Sequence, residues 1–171
     1  MDKKEFSIFA AAMKTYYPRE GLLPNSQAAE LWFRQLQDIP YPVAEAALNK
    51  WVATQKWSPS IAEIRESAAA ITAGELPDWG EAWEKAIGAV RRYGFYRQAE
   101  AMASLDDLTK RTVQRLGYNE LCMSENLMAD RANFRMIYEQ LLNRKKMDAQ
   151  TPVQLSLLIE KLRSEPKKLE G

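Results

Sequence analysis

The chain has 171 residues, 46% of them apolar and 27% charged, with 24 Lys/Arg against 23 Asp/Glu and no histidine. That length suits one full core or two small helical units, and a formal charge of +1 gives bulk electrostatics no role in drawing the protein to nucleic acid or a membrane. Without histidine, and with one cysteine, neither a zinc set nor a Cys-His or Ser-His-Asp arrangement can be assembled.

Helical periodicity dominates from the start. Lys3 and Lys4 followed by Phe6 to Met13 mimic a secretory signal, but Glu5 interrupts the run, and Phe6, Phe9, Ala10, Met13 and Tyr17 keep helical spacing. A first amphipathic helix is expected over Lys3 to Tyr17, stopping before Pro18 because proline pushes its predecessor out of the α region. Asn25 suits the N-cap of a second helix with Ala28, Leu31, Trp32 and Leu36 on one face. Pro42 suits the first turn of a third, faced by Val43, Ala47, Leu48 and Trp51. Ser58 or Ser60 caps a fourth, lined by Ile61, Ile64, Ala68 and Ile71 and stopped at Gly74. Trp32, Trp51 and Ile64 are expected in the core.

After a break over Gly74 to Pro77, Asp78 caps a fifth helix with Trp79, Ala82, Trp83, Ala86 and Val90 inward, ending near Gly94. Short helices are predicted around Arg97 to Ala103, from Ser104-Leu105-Asp106-Asp107 to Gly117, and over 118–124. The longest runs from Asn126 to near Ala149 on a stripe of Leu127, Phe134, Ile137, Tyr138, Leu141 and Leu142. Pro152 breaks it, and Val153, Leu155, Leu158, Ile159 and Leu162 then form a short amphipathic segment. The expected class is all-α: a four-helix unit over 1–74, a second helical unit over 75–150 and an amphipathic tail over 151–171. Cys122, between Leu121 and Met123, reads as a buried apolar thiol; a lone cysteine admits no intrachain disulfide and suits the cytoplasm. No apolar run approaches the roughly 20 residues that cross a bilayer, so no membrane association is expected.

Chemistry is sparse. The seven glycines are isolated, so no phosphate-cradling loop or dinucleotide fingerprint exists. Carboxylate pairs such as Asp78 with Glu81 stand at helix starts, where capping and the helix dipole account for them. No catalytic residue, cofactor or metal is therefore expected. Basic clusters at Arg91-Arg92 with Arg97, Lys110-Arg111 with Arg115, and Arg144-Lys145-Lys146 lie near helix C-termini. Tyr93 and Tyr96, with Phe95, interleave with Arg91, Arg92 and Arg97 as a candidate partner-binding patch. Leu155, Leu158, Ile159 and Leu162, at i, i+3, i+4 and i+7, are a second candidate, since such a row docks in grooves.

Tyr17-Pro18, Trp32 with Leu36-Gln37-Asp38, Val43 to Leu48, and Trp57-Ser58-Pro59-Ser60-Ile61-Ala62-Glu63-Ile64-Arg65 are together similar to a phage family. It is the replicative-helicase loader/inhibitor family of Gram-positive bacteriophages and prophages. The resemblance spans residues 5–70. Pro77-Asp78-Trp79-Gly80-Glu81-Ala82-Trp83, Arg92-Tyr93-Gly94, and Asp130-Arg131 with Phe134 and Tyr138 resemble the downstream half of prophage members. What this implies is a non-enzymatic protein, in the cytoplasm of a bacterial host, that binds a DnaB-type replicative helicase. It would hold the helicase idle and deliver it to the phage origin with an origin-binding partner. The chain is long for the compact members, so residues 75–171 could serve another partner such as the host's helicase-loader ATPase. Two other readings stay open: a DNA-binding module using the basic middle segment, and a phage structural or assembly protein.

Overall fold

In the computed structural model, which describes residues 1–74 and 77–164, every regular element is helical. The helices are α1 (Lys3–Tyr16), α2 (Ser26–Leu36), α3 (Tyr41–Thr54), α4 (Ile61–Ala73), α5 (Trp79–Tyr93), α6 (Gln98–Ala103), α7 (Asp107–Leu116), α8 (Tyr118–Cys122), α9 (Leu127–Gln150) and α10 (Val153–Ser164). A 3₁₀ turn over Phe95–Arg97 joins α5 to α6. The fold is all-α. Glu75-Leu76, within the break expected over Gly74 to Pro77, and the tail end 165–171 lie outside the described residues. The chain forms two compact units, Met1–Gly74 with the segment from Lys146 onward, and Glu75–Lys145.

In the first unit, local chemistry starts each helix. The Asp2 carboxylate accepts from the Lys4 and Glu5 backbone N–H at 2.7 and 2.8 Å, while the Glu5 carboxylate accepts from the Asp2 N–H at 2.7 Å. This reciprocal cap satisfies donors that the first turn leaves free. α1 ends at Tyr16, one residue before the expected stop, since Tyr17 precedes Pro18 and leaves helical geometry at φ −125°. The Asn25 side chain accepts from the Ala28 N–H at 2.8 Å to open α2, and Pro42 occupies the first turn of α3. Ser60, with Glu63, forms the capping box of α4. Ser58 is used differently, its backbone N–H donating to the Glu20 carboxylate at 3.1 Å.

α3 packs on α4 and α1, and α2 on α4 and α1. Phe6, Phe9 and Met13 of α1 meet Leu36, Leu48 and Ile64 in the core, where small Ala44, Ala47 and Ala68 sit buried on α3 and α4. Ile64 is fully buried, as its spacing predicts. Trp32 and Trp51 are not: both are half-buried, and Leu31 and Ile71 of the expected inner faces are 54% and 38% exposed. Trp51 stands near the end of α3, beyond the buried Ala44, Ala47 and Leu48. There its indole N–H donates to the Trp57 carbonyl at 2.9 Å and pins the loop before α4. Trp51→Phe is therefore expected to cost only about 1 kcal/mol, the net worth of one hydrogen bond, in a denaturant titration.

The second unit is built on α5, which packs against α6, α7 and α8. The Asp78 carboxylate accepts from the Gly80 and Glu81 N–H at 2.6 and 2.9 Å to start it. Gly94, at φ +63°, ends it in a conformation that side chains with a Cβ rarely adopt. Asp106 caps α7, accepting from the Thr109 N–H at 3.0 Å, and the Asn126 side chain accepts from the Ala129 N–H at 3.2 Å at the start of α9. The core centres on aromatics. Phe134 meets Trp83 edge to face at 5.3 Å and stacks on Tyr138 at 5.9 Å. The Tyr138 hydroxyl donates to the Pro77 carbonyl at 2.6 Å, and burial, with the nearby carboxylates, pushes its pKa up to about 12. The α9 stripe is narrower than its sequence suggests, because Leu127 is 46% exposed at the first turn. Cys122 is half-buried against the core's edge instead of fully enclosed.

Candidate functional site

A charged cluster inside the first unit was not singled out by sequence reasoning. The Arg65 guanidinium, only 6% exposed, forms a two-pronged ion pair with Asp38, Nη1 to Oδ1 at 2.7 Å and Nη2 to Oδ2 at 2.9 Å. Nη1 also donates to the Gln35 carbonyl at 2.6 Å, and Nε donates to the Gln150 carbonyl. Asp38 Oδ2 accepts in addition from the Val153 backbone N–H at 3.1 Å, and Gln37 donates to the Gln154 side chain at 3.3 Å. One guanidinium thus ties the end of α2, the middle of α4 and the junction where α10 begins. The signal was present: Arg65 follows Ile64 and precedes Ala68 on the buried side of α4, and a buried cation requires a carboxylate.

Burial pushes the Asp38 carboxyl up, but the Arg65 guanidinium and the Val153 N–H outweigh it and hold the group below its ordinary value of 3.8. A depressed carboxylate stabilises the fold fully above that ordinary value and loses its contribution as pH falls through the folded-state value. Wild type should therefore lose more thermal stability than Asp38→Asn between about pH 6 and about pH 3. Equal losses would show that the pair does not couple to folding.

α10 is positioned by this cluster, yet its apolar side chains are left in solvent. Leu155, Leu158, Ile159 and Leu162 are 43%, 51%, 36% and 62% exposed and share one face of the helix. Val153 and Leu157 are exposed on the opposite side. Lys161 and Arg163 stand in its last turn, where they complement the helix dipole.

The arginine and aromatic candidates fall in the second unit, where Arg92, Tyr93 and Arg97 come together at the end of α5 and Arg91 and Tyr96 are exposed next to them in the chain. The Arg92 and Arg97 guanidinium carbons lie 5.5 and 5.2 Å from the centroid of the half-buried Tyr93 ring. Arg97 also pairs with Glu100. Phe95 and Tyr96 project outward. Among the described residues no cluster of three or more His, Cys, Asp or Glu could hold a metal ion, and no helix is long and apolar enough to cross a membrane.

The first four helices of the first unit, three of them opened by side-chain caps and tied by Arg65 and Asp38, overlap a match to a family model. Residues 1–65 match the N-terminal domain of gp39P, a phage helicase loader/inhibitor protein. The resemblance carried by Trp32, Leu36 and the segment Trp57 to Arg65 is therefore supported at the level of this N-terminal stretch. The match ends at Arg65, on the guanidinium that reaches Asp38, and the second unit lies beyond it. No curated protein and no solved structure matches the chain.

Proposed function

We propose that the chain is a non-enzymatic adaptor of phage DNA replication that binds a DnaB-type replicative helicase in the cytoplasm of the bacterial host. It holds the helicase inactive and delivers it to the phage origin together with an origin-binding protein, with the host helicase-loader ATPase as a further partner. The observation that carries this reading is the match of residues 1–65 to the N-terminal domain of the phage loader/inhibitor protein. The exposed row Leu155, Leu158, Ile159 and Leu162 supports it from a second direction, since an amphipathic helix with these anchors fits a hydrophobic groove. The helix bearing the row starts on Asp38, within the stretch that carries the match.

Two measurements test this. The isolated protein should show no saturable ATP binding, while stoichiometric addition should change the ATPase rate of the purified helicase. Leu158→Asp with Leu162→Asp should change the melting temperature little, because both side chains are more than half exposed. The same pair should weaken helicase binding at least about tenfold, the loss expected when two groove-filling leucines become charged. Full affinity in that variant would remove α10 from the interface.

A further inference from the structure

The stretch from Arg91 to Arg97 holds three arginines and three aromatics, and no carboxylate occurs between Glu84 and Glu100. The fold presents it on a fixed turn. Gly94 redirects the chain at φ +63°, and the buried Tyr118 donates its hydroxyl to the Gly94 carbonyl at 2.9 Å from the α8 side. The 3₁₀ turn then projects Phe95 and Tyr96 outward, 42% and 96% exposed, their rings edge to face with centroids 5.4 Å apart. Beside them an open cleft of about 510 Å³ is lined by Arg92, Tyr93, Arg97, Glu100, Ala103 and Ser104.

A ring as open as Tyr96 adds almost nothing to its own fold, and with the partly exposed Phe95 beside it among arginines it makes a stacking platform with cations at its rim. Arg97 is partly neutralised by Glu100, whereas Arg91 and Arg92 form no ion pair among the described residues. Phosphates meet guanidinium groups in a charge-assisted geometry, and any base can stack on an open ring. A duplex supplies the phosphates but keeps its bases stacked on one another. We propose that this surface binds single-stranded nucleic acid, with bases stacking on Tyr96 and Phe95 and backbone phosphates meeting Arg91, Arg92 and Arg97. The site is local, so the near-neutral net charge of the chain bears on its strength and not on its existence. It is also independent of what α10 contacts.

The test is fluorescence anisotropy of a labelled oligothymidylate of about 12 nucleotides, titrated with the full chain at several salt concentrations. Binding should saturate, with a slope of log affinity against log salt of about −2, from three phosphates at about −0.7 each. Tyr96→Ala should weaken it about tenfold without moving the melting temperature, since the ring is already in solvent. Arg92→Gln should bring the slope closer to zero by about 0.7. An oligouridylate run in parallel tells DNA from RNA as the natural source, and binding of either supports the site. Equal affinity for duplex, binding to polyglutamate but to neither oligonucleotide, or an affinity untouched by Tyr96→Ala would each overturn the proposal. The polyglutamate result would identify an acidic protein surface as the partner instead.

Discussion

Arg65→Met is expected to destabilise the first unit by about 3 kcal/mol, enough to lower its melting temperature by about 10–20 °C. Removing one member of a buried ion pair strands the other. Here the stranded group is Asp38, together with the Gln35 and Gln150 carbonyls that Arg65 serves. The figure sits at the low end of the about 3–5 kcal/mol typical of such losses, because the Asp38 side chain keeps 17% of its surface in water. Combining Arg65→Met with Asp38→Leu should be less damaging than Arg65→Met alone, since no charge then remains buried without a partner. Strict additivity of the two substitutions in denaturant titrations would show that the pair is not coupled. The double variant should free the start of α10, whose Val153 N–H is held by Asp38, and faster amide exchange over Val153 to Leu158 would register it.

The second large effect belongs to the other unit. Phe134→Ala should cost about 4 kcal/mol, the sum of a lost buried ring and the cavity it leaves. Phe134 is fully enclosed between Trp83 and Tyr138, neither of which can move far. Trp83 is buried on α5, and Tyr138 is anchored through its hydroxyl to the Pro77 carbonyl. A loss below about 1.5 kcal/mol would mean that the core collapses to fill the space and is not close-packed there.

Helix starts and stops were legible in the sequence because each rests on a residue whose chemistry acts locally. Asn25 and Asp78 cap as their spacing predicts, Ser60 is the one of two candidate serines that caps α4, Asp106 caps α7 within the stretch expected to open it, and Gly74, Gly94 and Gly117 stand at helix ends. Burial was less legible. Trp51 and Leu31 lie at helical spacing with true core residues, but the depth to which a side chain sinks depends on what the facing helix offers. On α3 and α4 the buried positions go to Ala44, Ala47, Leu48, Ile64 and Ala68, and Trp51 is left half-buried near the end of its helix. The helical pattern of α4 places Arg65 on the buried side, but its partners lie 27 residues away at Asp38 and 85 residues away at Gln150, so the local pattern points to the cation and not to what satisfies it. Of the candidate surfaces, the apolar row and Tyr96 are exposed, while Tyr93 is half-buried. What they bind is written in no spacing, because a row of leucines fits many grooves.

Sedimentation velocity of the full chain mixed with the purified hexameric helicase of the host tests the proposed binding. A boundary that sediments faster than the helicase alone and carries both proteins is expected at micromolar concentrations. That boundary should be lost with the Leu158→Asp and Leu162→Asp pair. Two boundaries at the positions of the separate proteins, with or without nucleotide, would contradict the proposed binding.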